Sequence, residues 1–170
     1  MLVAGLLPIA QAARGEAPSL EAEVKAAYIA KFAPFVVWPS SVFAGPAAPL
    51  ALCVQGEDPF GPALDRLADG QSVGGHPVVV RRMAHLDADS GCHIAYVGGS
   101  PAQSRAAALR AVDGLPVLTV TDAPGEDERG VVRLMLVDGR VRFQIDDDRA
   151  KRSGLTISSK LLALGLGASR

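Results

Sequence analysis

The 170-residue sequence is sparing with the residues that most often carry chemistry. It has two cysteines, one tryptophan, three histidines and an aromatic content of 5%. Neither Cys53 nor Cys92 lies in a CxxC motif, which argues against thiol–disulfide exchange as a function. The spacing of His76, His85 and His93 fits no common zinc pattern, and no metal or cofactor is expected. The chain contains no GxGxxG or GxxxxGK[ST] loop and no SxxK pair, so these motifs indicate no enzyme class. Formal net charge is -1 without a long run of either sign, which speaks against nucleic acid or anionic lipid as a partner. Arg81-Arg82 and Lys151-Arg152 are expected to be solvated ends of elements. No apolar run approaches the roughly 20 residues needed to cross a bilayer.

What is present is a globular composition, 49% hydrophobic and 21% charged, with a core to be built from Val, Leu, Ile and Ala. The length suits one domain, expected over residues 19–166. Leu2 to Ala10 is an uncharged apolar stretch followed by Ala10-Gln11-Ala12, small residues where a signal peptidase reads. Residues 1–12 are therefore expected to be a secretory signal. The basic residues that normally precede such a stretch are lacking, so the true start is expected upstream. Residues 13–18 would be a flexible leader. An exported chain meets an oxidising compartment, where Cys53 and Cys92 are expected to pair as one structural disulfide.

The periodicity predicts an α/β fold. Ser19 caps a helix whose apolar stripe is Leu20, Val24, Ala27, Tyr28, Phe32 and Phe35, ended by Pro34. Trp38-Pro39 is an extended link. Strands are expected at Leu50–Gln55, Pro77–Arg82, His93–Val97 and Val117–Thr121. Helices are expected at Phe60–Ala68 and from Ser100, as cap, to about Val112. An acidic loop, 122–130, precedes a hairpin of alternating residues around Asp138-Gly139, a favoured two-residue turn. Asp147 or Asp148 then caps a short helix ended by Gly154. Leu155–Ile157 is extended, and Ser158 opens a last helix through Leu164. This order predicts a mixed, mostly parallel β-sheet with helices on both faces and a C-terminal antiparallel hairpin.

Few positions compete for a functional role. Gly98-Gly99-Ser100 is a strand-to-helix turn where free N–H groups could meet an anion, although capping alone accounts for Ser100. Asp146-Asp147-Asp148 has cation-binding oxygens, and capping again accounts for them. Ser158-Ser159-Lys160 sets a serine beside a lysine, in a context that a helix start explains. Trp38 is either a core plug or an interaction anchor. Trp38, Gly98, Gly99, Ser100, Ser158, Ser159 and Lys160 are thus the candidate partner or ligand surface.

Several segments together resemble one family. They are Val24–Ile29 with Phe32-Ala33 and Phe35-Val36-Val37-Trp38-Pro39, Leu52-Cys53-Val54 with Asp58-Pro59-Phe60-Gly61, and Gly91-Cys92-His93-Ile94. Pro116–Val120 with Asp122, Arg142-Phe143 and Leu155–Leu162 complete the series. The ordered set, over about residues 20 to 165, resembles the YfiR family of periplasmic regulators. The resemblance implies a periplasmic α/β protein without catalytic activity. Such a protein binds the periplasmic sensor region of a membrane diguanylate cyclase, holds it inactive and so lowers cyclic-di-GMP. It also implies an outer-membrane lipoprotein that sequesters the regulator, and a possible homodimer. Cys53 and Cys92 match the family's shared disulfide. A second bridge of some members has no counterpart, because no cysteine follows Cys92. Pro34, the acidic stretch 125–130 and Ile145-Asp146 depart from the usual pattern. The alternative reading is a periplasmic small-molecule or anion-binding module centred on Gly98 to Ser100.

Overall fold

In the computed structural model, residues 17–167 are described. The expected signal and most of the leader lie outside them. The elements are α1 (Leu20–Phe32), β1 (Val36–Val37), β2 (Leu50–Gly56), α2 (Pro62–Ala68), β3 (Ser72–Val73), β4 (His76–Met83), β5 (Ile94–Gly99), α3 (Arg105–Ala111), β6 (Leu118–Thr121), β7 (Val132–Val137), β8 (Arg140–Ile145), α4 (Asp147–Arg152), β9 (Thr156–Ile157) and α5 (Ser159–Leu164).

Seven strands form one mixed sheet in the order β3-β4-β2-β5-β6-β7-β8. The five central strands, β4 to β7, run parallel, and an antiparallel strand closes each end. The chain leaves β2 towards β4 on one side and returns across it to β5 on the other. That reversal is the switch point of a doubly wound sheet. β2 and β5 are buried along almost their whole length, as strands covered on both faces must be. β4 instead alternates half-buried and exposed residues. A separate two-stranded sheet pairs β1 with β9, Val36 opposite Ile157.

The two faces carry different cores. One is large: Leu50, Leu52, Val54, Ile94, Tyr96, Leu118, Val132, Leu134, Phe143 and Ile145 meet α1, α2, α4 and α5. The other is small: Ala51, Cys53, Ala95 and Val97 meet α3 and Leu86. Cys53 and Cys92 are bonded there, with Cα atoms 5.9 Å apart. They tie β2 to the entry of its neighbour β5, where Cys53 lies opposite Ala95.

α1 is capped as expected, the Ser19 hydroxyl accepting from the Ala22 amide. Its buried face differs from the predicted stripe. Ala22, Ala26, Ile29 and Ala30 point inward, while Leu20 is 77% exposed and Val24 is also exposed. The small residues let the helix lie close to its neighbours. Only the C-terminal part of the stripe holds, with Tyr28 and Phe32 meeting Phe143 at ring distances of 5.4 and 5.3 Å. The hairpin matches its prediction. Asp138 and Gly139 have φ of 49° and 70°, both positive as a type I′ turn requires.

Two local predictions are corrected. Gly98 and Gly99 end β5 rather than forming the turn, and α3 begins at Arg105 with Ser104, not Ser100, as its cap. The cap of α4 is Asp146, whose carboxylate accepts from the Arg149 amide, rather than Asp147 or Asp148. Arg82 is an exposed end of β4, as expected, but it is also a fastener. Its guanidinium reaches Asp58 at 2.7 Å and Asp65 at 2.6 Å and donates to the Gly61 carbonyl, fastening β4 to α2. This pairing holds the Asp65 carboxyl below its ordinary value and raises the guanidinium's.

Candidate interaction site

The candidate residues divide between the two ends of the parallel strands. Gly98, Gly99 and Ser100 sit at the carboxyl edge. Trp38 sits at the amino edge, about 20 Å away along β5 at 3.3 Å per residue, and Ser158–Lys160 follow β9, which pairs with β1 next to Trp38.

The carboxyl edge at the β2–β5 switch point is where doubly wound folds usually leave a crevice. Here the two strand ends close on each other. The Glu57 amide donates to the Gly99 carbonyl at 2.9 Å. A Cβ on Gly98 would stand 2.2 Å from the Glu57 carbonyl oxygen, and one on Gly56 would stand 2.3 Å from that of Gly99. These glycines permit backbone contact between strands, and a recess of about 250 Å³ lies over Gly98, Gly99 and Ser100. Gln55, fully buried, completes the seal. It donates to the Ala84 and Gln103 carbonyls and accepts from the Gly99 amide. Sequence reading passed over Gln55, although a glutamine inside an apolar run is a signal of such a role. The Ser100 hydroxyl accepts from the Gln103 amide at 3.4 Å, within the same loop.

Beside this seal a recess of about 280 Å³ is lined by Glu57, Asp58, Tyr96, Arg105 and Asp122. Its two aspartates are already engaged, Asp58 with Arg82 at 2.7 Å. Asp122 pairs with Lys25 at 2.9 Å and lies 4.0 Å from Arg105, while Glu21 holds Lys25 at 2.6 Å. Burial opposes the Lys25 charge, but its hydrogen bonds to Glu21 and Asp122 outweigh burial and hold the ammonium above its ordinary value. Burial, reinforced by Asp122, likewise pushes the Tyr96 phenol up.

The amino edge is built differently. β1 pairs with β9, and the Ser158 amide donates to the Phe35 carbonyl at 2.9 Å, so the Trp38 and Ser158–Lys160 segments come together. The Ser158 hydroxyl caps α5 by accepting from Leu161, while Ser159 and Lys160 are exposed. Trp38 is 8% exposed, and its Nε1 donates to the His93 carbonyl at 3.1 Å. An apolar cleft of about 540 Å³ opens beside it. Val36, Trp38, Leu50, Val73 and His76 line it, with Phe43 and Pro46 from the strap that joins β1 to β2. A cavity of this size and character can hold a small organic molecule or an inserted side chain. Phe43, which the sequence reading did not single out, is stacked between His76 and His93, with ring centroids 3.7 and 4.5 Å away.

Among the described residues, no cluster of His, Cys, Asp and Glu could hold a metal ion, and no helix is long and apolar enough to cross a membrane. No curated protein matches the sequence. The YfiR/HmsC-like family, by contrast, matches residues 22–165, which takes in β1 to β9, the disulfide and both edges of the sheet. The chain belongs to the YfiR/HmsC-like family.

Proposed function

We propose that the protein is a non-catalytic periplasmic regulator that binds the periplasmic sensor region of a membrane diguanylate cyclase and holds it inactive. The observation that carries this reading is membership of the YfiR/HmsC-like family across residues 22–165. The disulfide suits an oxidising compartment. The side chains with chemical potential have structural tasks: Ser158 and Asp146 cap helices, Asp122 is paired, and Gln55 seals the sheet. We further propose that the amino edge forms the contact. Val37 is 65% exposed there and lines the apolar cleft. An outer-membrane lipoprotein would compete for the regulator, and a second copy of the chain is a further proposed partner.

Deletion of the gene should raise cellular cyclic-di-GMP, and the purified protein should retain a diguanylate cyclase from detergent-solubilised membranes. Unchanged cyclic-di-GMP in a strain that expresses the cyclase would overturn the reading. Val37→Glu should weaken retention without lowering the melting temperature. Retention equal to the wild type would move the contact elsewhere.

A further inference from the structure

The strap, residues 38–49, is fastened to the sheet by few groups. Its backbone hydrogen bonds are local, from Val42 to Pro39, Phe43 to Ser40 and Ala48 to Gly45. What holds it across the sheet is the Trp38 Nε1–H donated to the His93 carbonyl at its first residue, then the Phe43 ring between two imidazoles, with a bond between His76 Nδ1 and the Ala48 carbonyl at 2.6 Å. The two histidines are bonded in opposite senses. A carbonyl only accepts, so His76 Nδ1 carries a proton. His93 Nδ1 accepts from the Ala51 amide at 3.0 Å, so it must be bare. The proton of neutral His93 is on Nε2, which is buried near the Val42 carbonyl without a hydrogen bond of normal geometry.

We propose that the His76–Phe43–His93 stack is a proton-operated clasp, which acid opens at His93 to free the strap and widen the apolar cleft beneath it. Protonation would give Nδ1 a hydrogen facing the Ala51 N–H, donor against donor, and would place a cation where the side chain is 6% exposed. No anion stands ready to compensate. The strap, residues 38–49, has no titratable side chain, nor does the facing segment Leu115–Val117. β4 contributes His76 through Phe43, a like charge when protonated, and Arg81, which donates to the Ser90 carbonyl. The 84–92 loop contributes Asp87, exposed at the rim of a recess it shares with His93. Protonated His93 regains solvation only by leaving its place, and Phe43 then loses one of its two faces.

Burial holds His93 below the usual value of 6.5; the Val42 carbonyl opposes it in part, and the His76 charge adds the smallest push downward. The freed or unfolded form therefore takes the proton before the closed form does. Closure is complete above about pH 6.5 and is lost as pH falls below it. This device requires no particular partner and stands apart from the regulatory role proposed above.

Trp38 is the only tryptophan and lies edge-on to His93 with ring centroids 6.3 Å apart, so it reports on the clasp directly. Emission of the full-length protein should change in one step between about pH 8 and pH 5, while far-UV circular dichroism stays constant. His93→Gln, which cannot titrate, should abolish the step; His85→Gln should leave it intact. Should His93→Gln not fold, hydrogen exchange of the wild type decides. Corrected for its intrinsic acid dependence, Ala51 amide protection should fall by up to about tenfold per pH unit below the transition, and Ala95 protection should hold. A flat emission profile would overturn the proposal. So would a step that persists in folded His93→Gln, one that coincides with loss of circular dichroism, or pH-independent Ala51 protection.

Discussion

The two edges of the parallel sheet hold the same pair of strands, β2 and β5, by opposite means. Near the amino edge the join is a covalent bond, Cys53 to Cys92, with an open apolar cleft and a lightly fastened strap nearby. At the carboxyl edge it is backbone against backbone, made possible by Gly56, Gly98 and Gly99 and finished by Gln55. The difference runs against the habit of doubly wound folds, which bind at the carboxyl edge. In this chain that edge is spent on cohesion, and the cleft is at the other end. Topology alone points to the end opposite the larger apolar cleft.

The comparison can be tested by undoing one join at a time. The largest effect is expected from Cys53→Ser. The bridge spans a sequence separation of 39, and its loss should lower stability by about 4 kcal/mol in the chain-entropy treatment. Equilibrium denaturation of oxidised wild type and variant measures this, and equal midpoints would show the bond idle. Next comes Gly98→Ala, where a methyl 2.2 Å from a backbone oxygen forces the strand ends apart. A loss of about 3 kcal/mol is expected, read as a lower melting temperature. If the variant melts with the wild type, the carboxyl edge is looser than described. Gln55→Leu should cost about 2 kcal/mol, because the Gly99 amide and the Ala84 and Gln103 carbonyls lose their partner in a buried place. The smallest effect separates two serines. Ser104→Ala should cost about 1 kcal/mol through loss of the α3 cap, and Ser100→Ala clearly less. The reverse order would restore Ser100 as the start of the helix.

How much of this was legible in the sequence follows from the range of the interactions. The hairpin was legible because its alternation and its Asp138-Gly139 turn are local. β2 and β5 stood out as short apolar runs, and the cysteines placed in and beside them gave the bridge between neighbours. The face of α1 was misread because hydrophobic size was weighed above fit. The helix needed Ala22, Ala26 and Ala30 inward for close approach, and no periodicity of large residues shows that. Caps shifted between adjacent candidates, Ser100 to Ser104 and Asp147 to Asp146, since either residue satisfies the same local rule. The Phe43 stack and the Gln55 seal join residues that are far apart in sequence, and so no window along the chain contains them. The candidate surface was legible only as scattered residues; its division into a closed edge and an open one required the topology.

The pairing of β1 with β9 sets an order of events. Val36 and Ile157 are about 120 residues apart, a contact of the kind that slows folding. A polypeptide is delivered amino end first, so Trp38 and its strap emerge early and must wait for nearly the whole chain before β9 arrives. During that interval the cysteines are already free to react, well ahead of the last strand. The amino edge, with its cleft, is therefore the last part of the molecule to be completed during synthesis, and a chain interrupted before residue 156 would carry the bridge without the strand that closes the edge.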